Sequence, residues 1–278
     1  MTKTISRIGL VAGDKNLPLS VVNFAQQKHI PVSVVGIAGS VSPDLKSYVP
    51  SSNYVELPIT ELSKTIKFFK SQNVDTVILT GGVSSSKIKF SIDCIKLFPS
   101  LFRLALSKQK YDGILRLVIH QFERSGLRVI GIQDFMPHLL ITSGVLTKTC
   151  PTKANLTDAH FGYPAAIKFA LSDKGQSIIV KNKTVIATER FSGTDALISR
   201  AANLPNSNGA ILVKVLKPQQ EIRADIPVLG VNTIQRLYDA GFSGVVIEAG
   251  KSIIDNREKV ISLADTLGIF ILGIDKTI

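Results

Sequence analysis

The chain has no tryptophan, and its five tyrosines do not alternate with lysine or arginine as the bases-on-aromatics surfaces of RNA-binding sheets require. Nucleic acid is therefore not an expected partner. Only two cysteines are present, Cys94 and Cys150, far apart in sequence. This usage points to reduced thiols and a reducing compartment rather than to a disulfide framework. The four histidines, His29, His120, His138 and His160, are equally scattered, and none has the spacing of a zinc site. No apolar run approaches the roughly 20 residues that a membrane span needs, and Ile8–Ala12 near the start is too short for a signal segment. A cytoplasmic location is expected. No low-complexity tract interrupts the 278 residues. The dinucleotide fingerprint is missing as well: after Gly13 the chain reads Asp14-Lys15-Asn16-Leu17-Pro18, and no acidic residue closes the second strand to hold a ribose. A classical nicotinamide enzyme is disfavoured, and no Walker A loop is present.

The chain does contain enough apolar residues, 45%, for a substantial core, with a net charge of +12. The lysines are spread along the chain, so the charge suits a phosphate-bearing small molecule or the surface of an anionic membrane better than a polynucleotide. In the first half, apolar runs alternate with helical periodicity. Ile8–Ala12, Pro31–Ile37, Val74–Leu79 and Leu127–Ile132 read as strands, and Leu17–Gln27, Thr60–Ser71, Leu97–Ser107 and Asp112–Arg124 as helices. Near-continuous apolar strands joined by helices predict a parallel sheet covered on both faces. The expected fold is α/β in two domains: a Rossmann-like parallel sheet over residues 1–132, a linker over 133–160, and a second α/β domain over 161–278. The second half is read as a helix from Asp158, a hairpin turning at Lys181-Asn182-Lys183, and further strands at 210–215, Gly244–Glu248 and Ile269–Ile274. Helices are expected at Thr194–Ala202, Thr233–Ala240 and Asn256–Leu267.

The most informative stretch follows the strand at 210–215. From Lys214 to Asp225, seven of twelve positions are charged or amides: Lys214, Lys217, Gln219, Gln220, Glu221, Arg223 and Asp225. An apolar strand that ends in such a run delivers polar groups to one end of a sheet, where α/β proteins build sites. Upstream, Ser192-Gly193-Thr194-Asp195 opens a helix, and Glu189 and Glu248 each end a strand. Convergent carboxylates suit Mg2+, which takes one or two of them together with water and phosphate oxygens. Lys214, Lys217 and Arg223 would offset phosphate charge. Gly13 and Gly81, at strand ends, allow close approach of a ligand to the backbone.

These residues resemble a known family, the UDP-2,3-diacylglucosamine pyrophosphatase of lipid A biosynthesis in its magnesium-dependent form. The matching pieces run from Ile8 to Asp275. They are Ile8-Gly-Leu-Val-Ala-Gly13 with Leu17-Pro18, Gly81 with Val83-Ser84, Asp112 with Leu115-Arg116, and Gly175-Gln176. Next come Glu189 with Gly193-Thr194-Asp195-Ala196, then Lys214 and the run from Lys217-Pro218 through Gln220-Glu221 and Arg223 to Asp225-Xaa-Pro227. Gly230, Thr233 and Glu248-Ala249-Gly250 complete the set. Departures are Asp14-Lys15 in place of glycines, Ser85-Ser86, Tyr111 and Phe191-Ser192. The resemblance implies a hydrolase that releases UMP and 2,3-diacylglucosamine 1-phosphate, with water attacking the β-phosphorus. It places the essential aspartate at Asp225. Hydrolysis of a phosphoric anhydride suits that carboxylate either as a Mg2+ ligand or as a base that orients water, with Asp195 and Glu189 as candidate second carboxylates. Substrate contacts are expected at Gly13, Leu17, Gly81, Val83, Asp112, Gln176, Glu189, Gly193, Thr194, Asp195, Lys214, Lys217, Gln220, Arg223 and Glu248. The partners expected are the UDP-sugar and its lipid product, the inner-membrane surface, and a second copy in a homo-oligomer. A non-catalytic nucleotide-sugar or lipid-binding protein is the alternative.

Overall fold

A computed structural model describes residues 5–14, 16–82, 110–190 and 192–275; for 110–112 only the backbone is described. The chain divides into two compact units. The first comprises Met1–Pro137 together with Glu221–Asp225, and the second comprises His138–Gln220 and Ile226–Ile278.

The first unit is built on strands β1 (Ile8–Ala12), β2 (Val32–Ile37), β3 (Tyr54–Leu57), β4 (Thr76–Thr80) and β5 (Arg128–Ile130). Their order is β3-β2-β1-β4-β5, and every neighbouring pair is parallel. The apolar runs give strands buried along nearly their whole length: β2 is buried at every position. Helix α1 (Leu17–Gln27) has Pro18 in its first turn, where no N–H is needed, and turns Leu17, Val21, Val22 and Ala25 inward. Helix α2 (Leu62–Ser71) buries Phe69, whose ring lies 6.2 Å from that of Phe122 on helix α3 (Lys110–Arg124). With Val35, Val74, Val77, Ile119, Leu127 and Val129 they form a continuous core. The expected helix at Leu97–Ser107 lies outside the described residues. A short helix, α4 (Ile132–Phe135), follows β5.

The second unit has a mixed sheet. Its strands are β6 (Gly144–Val145), β7 (Ser177–Lys181), β8 (Thr184–Thr188), β9 (Ile211–Lys214), β11 (Gly244–Glu248) and β13 (Phe270–Ile274), in the order β6-β13-β11-β9-β7-β8. Strands β9, β11 and β13 are mutually parallel, while β6 and β7 pair antiparallel at either side. A separate parallel pair joins β10 (Val228–Leu229) to β12 (Ile253–Ile254). Alternate side chains leave the sheet on opposite faces. Ile178, Val180, Ile211, Val213 and Val246 pack with Tyr163 and Ala166 of helix α5 (Lys153–Leu171). Ile179, Leu212, Val245 and Ile247 pack on the other side with helices α6 (Gly193–Ala202), α7 (Val231–Asp239) and α8 (Arg257–Leu267). Each fully buried Ile, Leu or Val of this kind contributes about 1.5–3 kcal/mol relative to exposure.

The β7–β8 hairpin turns where expected, with Asn182 and Lys183 both at positive φ, 50° and 55°. Both central residues in the left-handed region are the mark of the tight turn whose twist suits antiparallel strands. Asp158 of α5, 4% exposed, accepts from the N–H groups of both turn residues, at 3.0 and 2.6 Å.

Residues 133–160, expected as a linker, are largely taken up by packed structure. They hold most of α4, the turn Pro137–Leu139, β6 and the start of α5. Ile141 is 1% exposed, within the core of the second unit. Helix α5 begins at Lys153 rather than Asp158, because Thr152 and Asn155 form a reciprocal capping box.

Candidate functional site

In the second unit the strand register sets the expected site residues level with one another. Ile247 pairs with Lys214, and Glu248 pairs with Ile274, so the parallel strands β9, β11 and β13 end together. Ser177, at the start of antiparallel β7, pairs with Lys214, and Thr188, at the end of β8, pairs with Ile178. Gln176, Glu189, Lys214 and Glu248 therefore share one edge of the sheet, the carboxyl ends of its parallel strands, where α/β folds place ligands.

Two buried glutamates organise that edge. Glu189, 7% exposed, accepts from the Gln176 N–H at 2.7 Å and from the Thr194 hydroxyl at 3.0 Å. The Thr194 hydroxyl also lies 3.1 Å from Ser177 Oγ. Glu189 thus ties the start of β7 to the first turn of α6, and Gly193, at φ 82°, supplies the left-handed residue with which that helix opens. The Gln176 side-chain oxygen is buried and accepts no hydrogen bond among the described residues. Asp195, one residue further along α6, forms a half-exposed pair with Arg236 of α7 at 3.3 Å.

Glu248, 2% exposed, accepts from the Tyr163 hydroxyl at 3.1 Å, from Lys251 Nζ at 2.8 Å and from the Leu216 N–H at 3.0 Å. Burial, then the neighbouring Glu248 carboxylate, push the Tyr163 phenol up to about 12. Lys214 is 8% exposed, and its ammonium donates to the Val228 carbonyl at 3.1 Å. That contact joins the last residue of β9 to the first of β10, closing the neck of the polar loop between them. Within the loop, Gln220 is buried and its side chain accepts from the Lys217 N–H at 3.3 Å, while Lys217 Nζ lies 3.1 Å from Asp173.

The loop residues Glu221–Asp225 group with the first unit. Arg223 forms a two-point pair with Glu221, Nε to Oε1 at 2.9 Å and Nη2 to Oε2 at 3.0 Å, and reaches Glu123 of α3 at 2.7 Å. The hydrogen bonds from Arg223 hold the Glu221 carboxyl below the ordinary range, and the same contacts raise the Arg223 guanidinium. Ala224 packs against the apolar core of this unit. The Asp225 N–H donates to the Glu221 carbonyl at 2.9 Å, so this end of the loop is a helical turn that presents Asp225 half-buried.

Gly13 and Gly81 stand at the ends of β1 and β4, where the Asp14 and Gly82 backbones pair at 2.7 and 3.2 Å. A Cβ on Gly13 would meet the Gly82 carbonyl oxygen at 2.5 Å, and one on Gly81, at φ 87°, the Asp14 oxygen at 2.6 Å. Close approach is needed here between the two strand-end loops themselves. Leu17 is buried in the first turn of α1. Asp112 falls in α3 with its side chain outside the described residues, and Val83 lies outside them entirely.

The structure thus brings Gln176, Glu189, Thr194, Lys214 and Glu248 to one sheet edge, and engages Lys214, Lys217, Arg223, Glu189 and Glu248 with protein groups. Tyr163, Glu123 and Asp173 were not singled out from the sequence. Tyr163 and Glu123 lie on helices whose apolar pattern dominates and Asp173 in the turn after α5, and only the fold shows which strand end or loop they face. Among the described residues, no group of three or more His, Cys, Asp or Glu side chains is arranged to hold a metal ion. No helix among them is long and apolar enough to cross a membrane.

The family model of the LpxI N-terminal domain matches residues 7–139, and that of the LpxI C-terminal domain matches residues 142–272. The chain belongs to the LpxI family. A curated LpxI relative, the UDP-2,3-diacylglucosamine pyrophosphatase LpxI of Caulobacter vibrioides, is 32% identical over 279 aligned positions, covering 97% of this chain and 98% of its own. Among solved structures, L-threonine dehydrogenase from Phytophthora infestans overlaps 95% of this chain and 93% of its own at 12% identity, with a TM-score of 0.29, too low to carry an argument. The boundary between the two LpxI matches, at residues 139–142, falls close to the division between the two compact units at Pro137 and His138.

Proposed function

We propose that this chain hydrolyses the pyrophosphate of UDP-2,3-diacylglucosamine in lipid A biosynthesis, yielding 2,3-diacylglucosamine 1-phosphate and UMP. The observation that carries the reading is end-to-end similarity, at 32% identity, to a relative named for that activity. Water attacks the β-phosphorus. A new P–O bond forms, the bond from the β-phosphorus to the bridging oxygen breaks, and the electron pair leaves with UMP. The strand order β3-β2-β1-β4-β5 supports a Rossmann-like reading of the first unit, with the uridine nucleotide at the carboxyl ends of its strands. The diacyl sugar phosphate is assigned to the second unit.

Asp225 is the proposed catalytic carboxylate, as Mg2+ ligand or as the base that orients water. The donor set is compatible with Mg2+, because this ion is commonly held by one or two carboxylates plus phosphate oxygens and water rather than by a protein cage. Asp195 is the second candidate ligand. Its exposed pairing with Arg236 contributes less than about 1 kcal/mol and is exchanged at little cost. Bound at Asp225, the ion would neutralise charge that develops on the diphosphate. The net charge of +12 supports attraction to the anionic cytoplasmic face of the inner membrane. The deciding experiment measures UMP by mass spectrometry after incubation with UDP-2,3-diacylglucosamine and Mg2+. Wild type is expected to release UMP, and Asp225→Ala, folded by circular dichroism, to lose at least roughly 100-fold in turnover. Substrate binding by the wild type without UMP release would make the chain a binding protein instead.

A further inference from the structure

We infer that Tyr163 and Glu248 form a positioning pair that anchors the loop bearing Asp225, rather than a substrate contact. The inference rests on the hydrolase reading for its link to turnover, but the anchor itself is structural. Residues 215–227 connect β9 to β10 without a strand or helix of their own. A segment without regular structure depends on side-chain and backbone contacts to hold its path, at its root as well as further along. The Val215 N–H donates to the Gln176 carbonyl at 3.0 Å, continuing the sheet by one residue. Beyond Val215, the next backbone N–H, at Leu216, has a carboxylate as its acceptor: Glu248 Oε2, on the neighbouring strand.

Glu248 is poorly placed to meet a substrate. It is 2% exposed, and both oxygens are engaged, Oε2 by Leu216 and Oε1 by Tyr163 and Lys251. Lys251 is 45% exposed at its side chain, so its ammonium hold on Glu248 is shared with water. Tyr163 is 9% exposed and projects from α5 within the apolar layer on one face of the sheet. Its hydroxyl is therefore the sheltered donor that fixes the carboxylate's orientation. The order of dependence runs from α5, through Tyr163, to Glu248, to the Leu216 N–H at the root of the loop. The neck is closed at its other end by Lys214 on the Val228 carbonyl.

The test uses the full chain carrying Tyr163→Phe, which keeps the ring in its apolar layer and removes only the hydroxyl. Amide hydrogen exchange over residues 216–220 is expected to rise about tenfold, with β9 and β11 unchanged. Turnover of UDP-2,3-diacylglucosamine is expected to fall about tenfold with KM within about twofold of wild type, because misplacement of a reacting group affects the transition state more than binding. Glu248→Gln, which keeps an acceptor oxygen for Leu216, should retain more turnover than Glu248→Ala. Unchanged loop exchange in Tyr163→Phe overturns the anchor whatever the chemistry. Altered exchange with wild-type turnover overturns the positioning role. Altered exchange in a protein whose wild type releases no UMP overturns the hydrolase reading and leaves the anchor standing.

Discussion

Replacing Glu189 separates a buried organiser from a substrate contact. In Glu189→Ala the Gln176 N–H loses its acceptor at 2.7 Å in a part-buried position, which costs about 1–3 kcal/mol. The Thr194 hydroxyl loses its acceptor at 3.0 Å but keeps Ser177 Oγ at 3.1 Å, so its loss is nearer 1 kcal/mol. Removing the side-chain atoms that pack beside Gly175 adds a cavity term of about 1 kcal/mol. The sum is about 3–5 kcal/mol, or a fall of roughly 10 °C in midpoint for a unit of this size. Glu189→Gln behaves differently. Its amide oxygen can accept from Gln176 while its NH2 donates to Thr194 Oγ1, whose hydroxyl then turns to Ser177, so the expected cost is only about 1 kcal/mol. Urea unfolding followed by circular dichroism, with a separate transition allowed for each compact unit, measures both variants. Ala and Gln variants within about 1 kcal/mol of each other would refute the argument. A substrate contact would instead show as a raised KM in both variants at unchanged stability.

At the end of β4, Gly81→Ala should destabilise the first unit by about 2–4 kcal/mol, since its Cβ meets the Asp14 carbonyl at 2.6 Å and φ is 87°. Gly193→Ala, at φ 82° but with nothing within 4 Å of its Cβ among the described residues, should cost only about 1 kcal/mol; thermal melts of the two compare clash with backbone strain alone. Asp158→Ala strips the acceptor from both N–H groups of the β7–β8 turn and should cost about 2–4 kcal/mol, read as faster amide exchange at Asn182 and Lys183. Glu221 has a folded-state pKa below its ordinary 4.5, so its pairing with Arg223 adds stability that is fully present above that value and disappears as pH falls through the lower folded one. The acid limb of the stability–pH curve should therefore be shallower in Glu221→Gln, by urea midpoints taken from pH 6 down to about 3.

The elements most legible in the sequence were those whose periodicity met no competition. The parallel strands read as apolar runs because both of their faces are covered, and the hairpin reads as two short apolar runs, Ile178–Val180 and Val185–Ala187, parted by the polar turn Lys181–Lys183. Strand β3 leaves little trace in the sequence. Tyr54-Val-Glu-Leu57 is a short edge strand with no fully buried position, so no apolar run marks it. Apolar periodicity alone starts α5 at Asp158, five residues late, because Thr152 and Asn155 have the composition of a loop and their capping box is a three-dimensional feature. At the site, residue types were legible and partners were not. That Glu189 and Glu248 end strands is visible in one dimension. That each accepts a backbone N–H from another segment, Gln176 or Leu216, depends on which strands become neighbours.

The same distinction bears on the basic residues of the loop. Lys214, Lys217 and Arg223 look, in sequence, like a phosphate-binding set. In the folded chain Lys214 donates to a carbonyl, Lys217 faces Asp173, and Arg223 is held by Glu221 and Glu123. A segment without secondary structure must find hydrogen-bond partners for its backbone and fix its course by other means, and these side chains do that. Any phosphate that binds here has to compete with an existing carboxylate or carbonyl. The competition differs among the three. Lys214 is 8% exposed and closes the neck, so moving it to a ligand would open the loop at its root. The Lys217–Asp173 pair has about one fifth to one quarter of its side-chain surface exposed and ties no strand end, so an incoming dianion could displace Asp173 at lower cost. Of the cations in this run, Lys217 is therefore the one whose removal should raise KM while the fold stays intact, and Lys214 the one whose removal should unfasten the loop.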